Sequence, residues 1–362
     1  MNKFLSIVTL SLLFSHFSFS GIFKLVNRDY TGITGISAAI MDDALDALED
    51  EVNKELPGAE NQAAYFEGMS NAAAYSSQGT GSAYGAVFDR FLVGATVGIG
   101  ADLGERSLGD FISGDAKAQE LAGVSIQGVL TVGANMGQFF SSSDDDWFQW
   151  DRLSLYLSFM TYSQTFSELD LSYTSFGLTG NYRLIEDQSI GAGTMKWTGI
   201  DIATGLRYSS LEADAEIRVN DTFDTDISGS SQVATTTYNG LAKINADVGV
   251  VSMPIEASTG IRFFHFLKFI GGLGVDLNFG STSGKGNIDN TSTVNINVSG
   301  GGGSASARPE FELSGEEGPA FASLRAFTGV HLEFGVGSVF ANVHKSVFDS
   351  SIAANAGLNF FW

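Results

Sequence analysis

The chain has 362 residues, 41 acidic against 19 basic, for a formal net charge of −22 at pH 7. Nucleic acid is not an expected partner, because phosphate binding needs a basic patch. There is no cysteine, which excludes disulfides, thiolate metal sites, a thiol nucleophile and a cysteine-linked lipid anchor.

Forty-four glycines, four prolines, 29 phenylalanines and 10 tyrosines make a strand-and-turn composition rather than a helical one. Hydrophobic residues are 44% of the chain, close to an ordinary soluble protein. A membrane barrel reaches the same value, because only alternate residues of its strands face lipid. At the N-terminus, Lys3 precedes an apolar run from Phe4 to Phe14, and Ser18 and Ser20 stand before Gly21. Residues 1–20 therefore read as a cleaved secretory signal peptide. No later run approaches the roughly 20 apolar residues of a spanning helix.

Residues 21–86 read as a periplasmic helical extension. Ile36, Ile40, Ala44, Leu48, Val52 and Leu56 recur every four residues, with Asp42, Asp46, Glu49 and other acids on the opposite face. That spacing predicts an amphipathic helix, stopped by Pro57-Gly58. The Ala-, Gly-, Ser- and Gln-rich stretch 59–86 predicts a short helix and loop. The extension is expected to pack on the barrel rim; a plug reaching into the lumen is the alternative.

From Val87 the apolar period falls from near four to two, the spacing of a half-buried strand. Ten strands are predicted. Five lie at about 87–103, 122–138, 151–163, 168–184 and 196–211. The others lie at 239–264, 266–280, 320–334, 336–347 and the C-terminal segment. The apolar parity reverses near Ser175 and again at Pro254, which predicts a bulge at each. An even strand count puts both ends of the barrel region on one side, the periplasm. Connections 104–121, 212–238 and 281–318 then form long outer loops, and the turns at His265 and Gly335 are short inner ones. Alternating pieces at 215–219 and 293–298 suggest hairpins standing beyond the membrane. Phe91, Phe159, Tyr182, Trp197, Phe263, Phe269, Phe334 and Phe360 fall near strand ends, as an interface girdle requires. A soluble β-sandwich, the main rival fold, needs no such belt.

The inward parity carries Arg90, Asp102, Asp201, Arg207, Glu256 and Arg262, then Lys268, Asp276, Arg325, His331, Glu333 and His344. Their near-balanced charge predicts a lumen crossed by ion pairs rather than a strongly ion-selective channel. About eight strands leave an interior filled by side chains, so ten give a narrow pore at most.

No catalytic, cofactor-binding or metal-binding residue is assigned. His16 belongs to the leader, His265 sits among phenylalanines, and no serine and acid are placed to complete a triad with His331 or His344. The clusters Asp144, Asp145, Asp146 and Asp221, Asp224, Asp226 lack a calcium-loop spacing and read as solvated loop charge. Gly300 to Gly303 reads as a flexible tip, with no phosphate-loop Lys-Ser/Thr after it.

In the last segment Ile352, Ala354, Ala356, Leu358, Phe360 and Trp362 share one parity, and Asn355, Gly357 and Asn359 the other. Asn355, Gly357, Phe360 and Trp362 take the polar, glycine, aromatic and terminal-aromatic places of an octapeptide. It resembles the C-terminal assembly signal of bacterial outer-membrane β-barrels. The resemblance implies an all-β, transmembrane antiparallel up-and-down barrel of about ten strands (8–12) over residues 87–362, preceded by an amphipathic helix. It also implies the bacterial outer membrane as location, with membrane lipid and the barrel-assembly machinery as partners. More loosely, the layout is similar to porin-like surface proteins that assemble as homo-oligomers. The expected function is a porin-like or structural surface barrel, homo-oligomeric and non-enzymatic. The alternative is a surface adhesin acting through 212–238 and 281–318.

Overall fold

A computed structural model describes residues 22–31, 62–79, 91–104, 123–142, 147–166, 169–190, 194–226, 233–288, 293–298 and 304–362. It also describes Asp42, Leu45, Asp46, Glu49, Phe88 and Arg90. Residues 1–20, most of 36–56, residues 105–122, Asp144–Asp146 and Gly300–Gly303 lie outside the described residues, and with them the expected signal, outer loop and glycine tip.

The chain opens with β1 (Ile22–Thr31) and a helix, α1 (Gln62–Ser76). Then come β2 (Phe91–Asp102), β3 (Gly123–Asn135), β4 (Leu153–Phe166) and β5 (Leu169–Ile185). A short β6 (Gln188–Ile190) precedes the long β7 (Met195–Asp226) and β8 (Val233–Phe263). β9 (Leu267–Ile288), β10 (Thr293–Val298) and β11 (Ser304–Glu317) follow. The last three are β12 (Ala322–Phe334), β13 (Gly337–Ser346) and β14 (Ser351–Phe361).

Ten of these strands close on themselves in the order β8-β9-β12-β13-β14-β2-β3-β4-β5-β7, with β7 paired back onto β8. The protein is therefore a ten-stranded antiparallel barrel, with a strand for each of the ten predicted. The seam is the β14–β2 ladder, running from Ser351↔Asp102 to Phe361↔Leu92. At its end the Arg90 and Phe91 amides donate to the Trp362 carbonyl at 3.1 and 3.2 Å. Outward residues are apolar and exposed: Val97, Ile126, Leu130, Leu178, Leu206, Leu273 and Val339 are examples. In water such a surface would be untenable; against hydrocarbon it is the stable arrangement. Aromatics gather at the end that carries the chain's C-terminus, where Phe91 lies 6.1 Å from Trp362 and Phe148 stacks on Tyr182.

The two predicted bulges are corrected. β5 pairs β4 without a shift from Leu169 to Tyr182, and β8 pairs β9 in one register past Pro254↔Asp276. The strands keep their phase; it is the apolar residues that change sides. Tyr173, Val248 and Val250 are buried and point into the ring. Opposite Pro254, which has no N–H to give, the β7 ladder skips and resumes in the same register at Arg207↔Ser252. Real shifts lie elsewhere, at Arg183/Ile185 in β5 and Trp197/Ile200 in β7.

Beyond the lipid-facing zone the wall continues instead of breaking into loops. β7 and β8 stay paired to Asp226↔Val233, and β11 returns along β9 from Glu312↔Asn287 to Glu317↔Thr282. β10 bridges β8 and β11. The expected loops 212–238 and 281–318 are thus mostly strand, with β10 spanning the predicted piece 293–298.

The helical reading of the whole extension 21–86 is corrected as well. Residues 22–31 form β1, which pairs β11 at the end away from the C-terminus, among the tall hairpins. Against it, the helical residues Asp42, Asp46 and Glu49 all reach Arg28, at 3.2, 2.6 and 3.5 Å, while Leu45 is fully buried. Their spacing puts three carboxylates on one helical face. Glu49 also accepts from the Leu25 amide at 3.0 Å, and Tyr30 donates to Asp42.

Hydrogen bonds from Tyr30 and Arg28 hold the Asp42 carboxyl below its ordinary value of 3.8. A depressed carboxylate stabilises above its unfolded pKa and loses that contribution as pH falls through the folded one. A carboxyl-carbon NMR titration should therefore place the Asp42 midpoint below 3.8. In the double variant Tyr30→Phe/Arg28→Ala it should return to about that value. An unchanged midpoint in the variant would show that these contacts do not form.

Candidate functional site in the barrel lumen

The lumen is occupied. Helix α1 and the turn after it, residues 66 and 68–79, are buried inside the ring, so this part of the extension is the plug given as the alternative and not a helix packed on the rim. Fifteen residues at 1.5 Å each make a rod about 22 Å long, most of the hydrocarbon thickness. A helix is about 10–12 Å across with ordinary side chains, so a bore this narrow demands small ones. Gly68, Ser70, Ala72, Ala73, Ala74, Ser76 and Ser77 supply them. The wall is cut away to match: a Cβ on Gly100 would lie 2.5 Å from the Ser76 amide, and one on Gly123 2.5 Å from that of Met69.

At its upper end Phe66 sits against Gly284 and Gly315 and clusters with Met69, Ala73, Ala74, Val248 and Val250. These contacts explain why β8 turns valines inward. Ser70 donates to Thr282 at 2.7 Å. Asn71 donates to Asp102 at 2.9 Å and accepts from the Ala320 amide at 2.8 Å. Halfway down, Gln127 donates to the Ala73 carbonyl at 2.9 Å and accepts from Tyr173 at 3.1 Å.

The lower end is where the charges converge. A helix C-terminus presents unpaired carbonyls and the negative end of its dipole, so cations belong there. Arg207 donates to the Ser77 carbonyl at 2.9 Å and to Gln78 Oε1 at 3.1 Å. Arg325 reaches the same Gln78 oxygen at 3.3 Å, Asp276 at 2.7 Å, His344 Nδ1 at 2.7 Å, and also Glu256. Asn355 donates to the Gln78 carbonyl at 3.0 Å and meets His344 Nε2 at 2.9 Å. Gly79 follows with φ +73°, the left-handed residue that commonly ends a helix.

Below the helix a second group fills one arc of the bore. Lys268 and Arg262 share Glu333 at 2.6 and 3.2 Å, and His331 meets Asn342 at 3.2 Å. Asp201 pairs with Arg183 at 3.2 Å on the other side.

Eleven of the twelve residues expected to face inward thus lie in the ring: Asp102, Asp201, Arg207, Glu256, Arg262, Lys268, Asp276, Arg325, His331, Glu333 and His344. Arg90 does not. It is exposed just before β2, where its amide, not its guanidinium, contributes to the seam. Of the C-terminal octapeptide, Asn355 is buried in the charge cluster, while Phe360 and Trp362 are exposed outside the ring. Gln78, Asn71, Gln127 and Tyr156 were not singled out by sequence. Only the long run of small residues ending at Gly79 hinted that something there was to be packed on every side.

Fold and lumen together define an integral membrane β-barrel with an internal helical plug. The chain belongs to the Lsa36-like family, whose profile matches residues 29–362. No curated protein matches the sequence. Among solved structures, the translocator domain of the autotransporter NalP from Neisseria meningitidis is similar at 12% identity and a TM-score of 0.26. That match covers 90% of this chain and 100% of that one. The CymD monoaromatic hydrocarbon channel matches at 9% identity and a TM-score of 0.24, covering 82% of this chain and 98% of its own. The toluene transporter TbuX of Ralstonia pickettii matches at 6% identity and a TM-score of 0.23, covering 82% and 99%.

Proposed function

We propose that this chain is a bacterial outer-membrane surface barrel that is closed at rest and works through the sheet of hairpins above its plug. The observation that carries the reading is α1, seated in the bore by paired charges at one end and a hydrophobic cluster at the other. A freely open porin would not fill its own conduit. The role is structural and non-enzymatic: His344 is taken up by Arg325 and Asn355, and His331 meets Asn342. Assembly as a homo-oligomer is proposed with it, and sizing in mild detergent, corrected for bound detergent, should give a multiple of the mass of the mature chain. The closed state is tested by recording from the purified, refolded protein in planar bilayers. The expected result is a silent membrane, and frequent large steps from the intact chain would reject it.

The alternative, a surface adhesin, is favoured by one observation. The hairpins are built as continuous sheet rather than loose loops, with β7 and β8 paired through Asp226↔Val233. Excising 215–240 and 289–311 should then abolish cell or matrix binding while the barrel still shows its folded gel mobility. Undiminished binding would remove this reading.

A further inference from the structure

The geometry points to a binding site, at the end of the barrel that carries the C-terminus, for a small molecule bearing an ammonium group beside oxygen acceptors. Among the described residues, the plug and the Lys268–Glu333 group leave the β3–β4–β5–β7 side of the bore unfilled. A cavity of about 440 Å³ lies there. That volume is within the range of small-ligand sites, near the lower end.

Its lining is polar and unevenly charged. Four carboxylates, Asp151, Glu186, Asp187 and Asp201, face two guanidiniums, Arg152 and Arg183. Three of the acids are already matched: Glu186 by Arg152 at 2.6 Å, Asp201 by Arg183 at 3.2 Å, and Asp187 by Lys196. Asp151 has no ion pair among the described residues, and it is exposed at the mouth. Asp151 is therefore the carboxylate of the lining left free to take a cation.

The second observation points to the rest of the ligand. Tyr156 lines the cavity and is only 1% exposed; among the described residues its hydroxyl completes no hydrogen bond of ordinary geometry, and the Ser154 side chain on the same wall is the polar group beside it. Its ring packs edge-on against Phe88 at 5.9 Å. Arg152 Nε is likewise buried without a partner. Buried donors left unsatisfied are uncommon and costly, and a bare cation would satisfy neither of them. What fits is a molecule with an ammonium for Asp151 and oxygens within reach of Tyr156 and Arg152. Amino sugars and free amino acids share that chemistry. The site depends on the barrel alone and stands whether or not the bore is closed above it.

The test is calorimetric titration of the purified protein in detergent with D-glucosamine, glycine and, as the neutral control, D-glucose. Saturable binding of either amine, with glucose about tenfold weaker or absent, is expected. Which amine binds decides between the two sources. Tyr156→Phe removes only the hydroxyl and should weaken binding roughly three- to tenfold. Asp151→Asn, at an exposed position that leaves the barrel intact, should erase the preference for amine over glucose. The site is overturned if neither amine gives saturable heat, if glucose binds as well, or if Asp151→Asn changes nothing. Retained binding in a folded Tyr156→Phe protein overturns it equally.

Discussion

A variant lacking residues 22–79 should turn a silent barrel into a conducting one. The deletion takes out a rod of about 10 Å diameter and leaves the ten-stranded ring, whose ladders do not involve that segment. What remains is a bore walled by Arg207, Glu256, Asp276 and Arg325, wide enough for water and small ions. Planar-bilayer recording should show discrete steps from the variant and none from the intact chain. Gly79→Val is a gentler probe of the same contact. The residue has φ +73°, and an added Cβ would fall 2.6 Å from Asn355 Nδ2 and 2.8 Å from His344 Nε2. It should loosen the lower end only, giving brief, flickering openings. Equal conductance from all three proteins would mean the helix does not stop the bore.

Arg325→Met should be the most damaging single change in the lumen. The guanidinium is fully buried and touches Glu256, Asp276, His344 and Gln78. Without it two buried carboxylates face each other and the helix loses one of its cationic anchors. Breaking a buried ion pair from one side costs about 3–5 kcal/mol, since the abandoned charge stays where it is. The temperature at which the compact gel band converts to the unfolded one should fall accordingly. The triple variant Arg325→Met/Glu256→Gln/Asp276→Asn removes charge from both sides and should regain most of the loss. If the triple variant is no more stable than the single one, the cost lies in packing and not in charge.

The contrast between what could and could not be read beforehand has a physical basis. A strand that separates lipid from a wet interior carries its two environments in alternate residues, so Val97, Ile99 and Leu358 announce the ring without any tertiary information. The same rule exposed the buried charges on the other parity. Helix α1 sends no such periodic signal, because from Gly68 onward it is buried on every side and has no solvent face to contrast with a buried one. Its small side chains predict a short helix and loop, but where that helix sits stays hidden until the wall around them is known. The reversals at Tyr173 and Val250 were visible but ambiguous: a slipped strand and an inward apolar contact write the same pattern. Only the register of β5 and β8 separates the two. β1 carries no clear alternation, and its partner β11 lies almost 280 residues away in the chain, a pairing no local pattern specifies.

One residue has a consequence for how such a molecule is put together. Asn355 belongs to the strand that shuts the cylinder, and the same side chain grips the carbonyl of Gln78. The final edge and the stopper are thereby tied through one side chain. An empty shell would lack that fastening between its closing strand and its core.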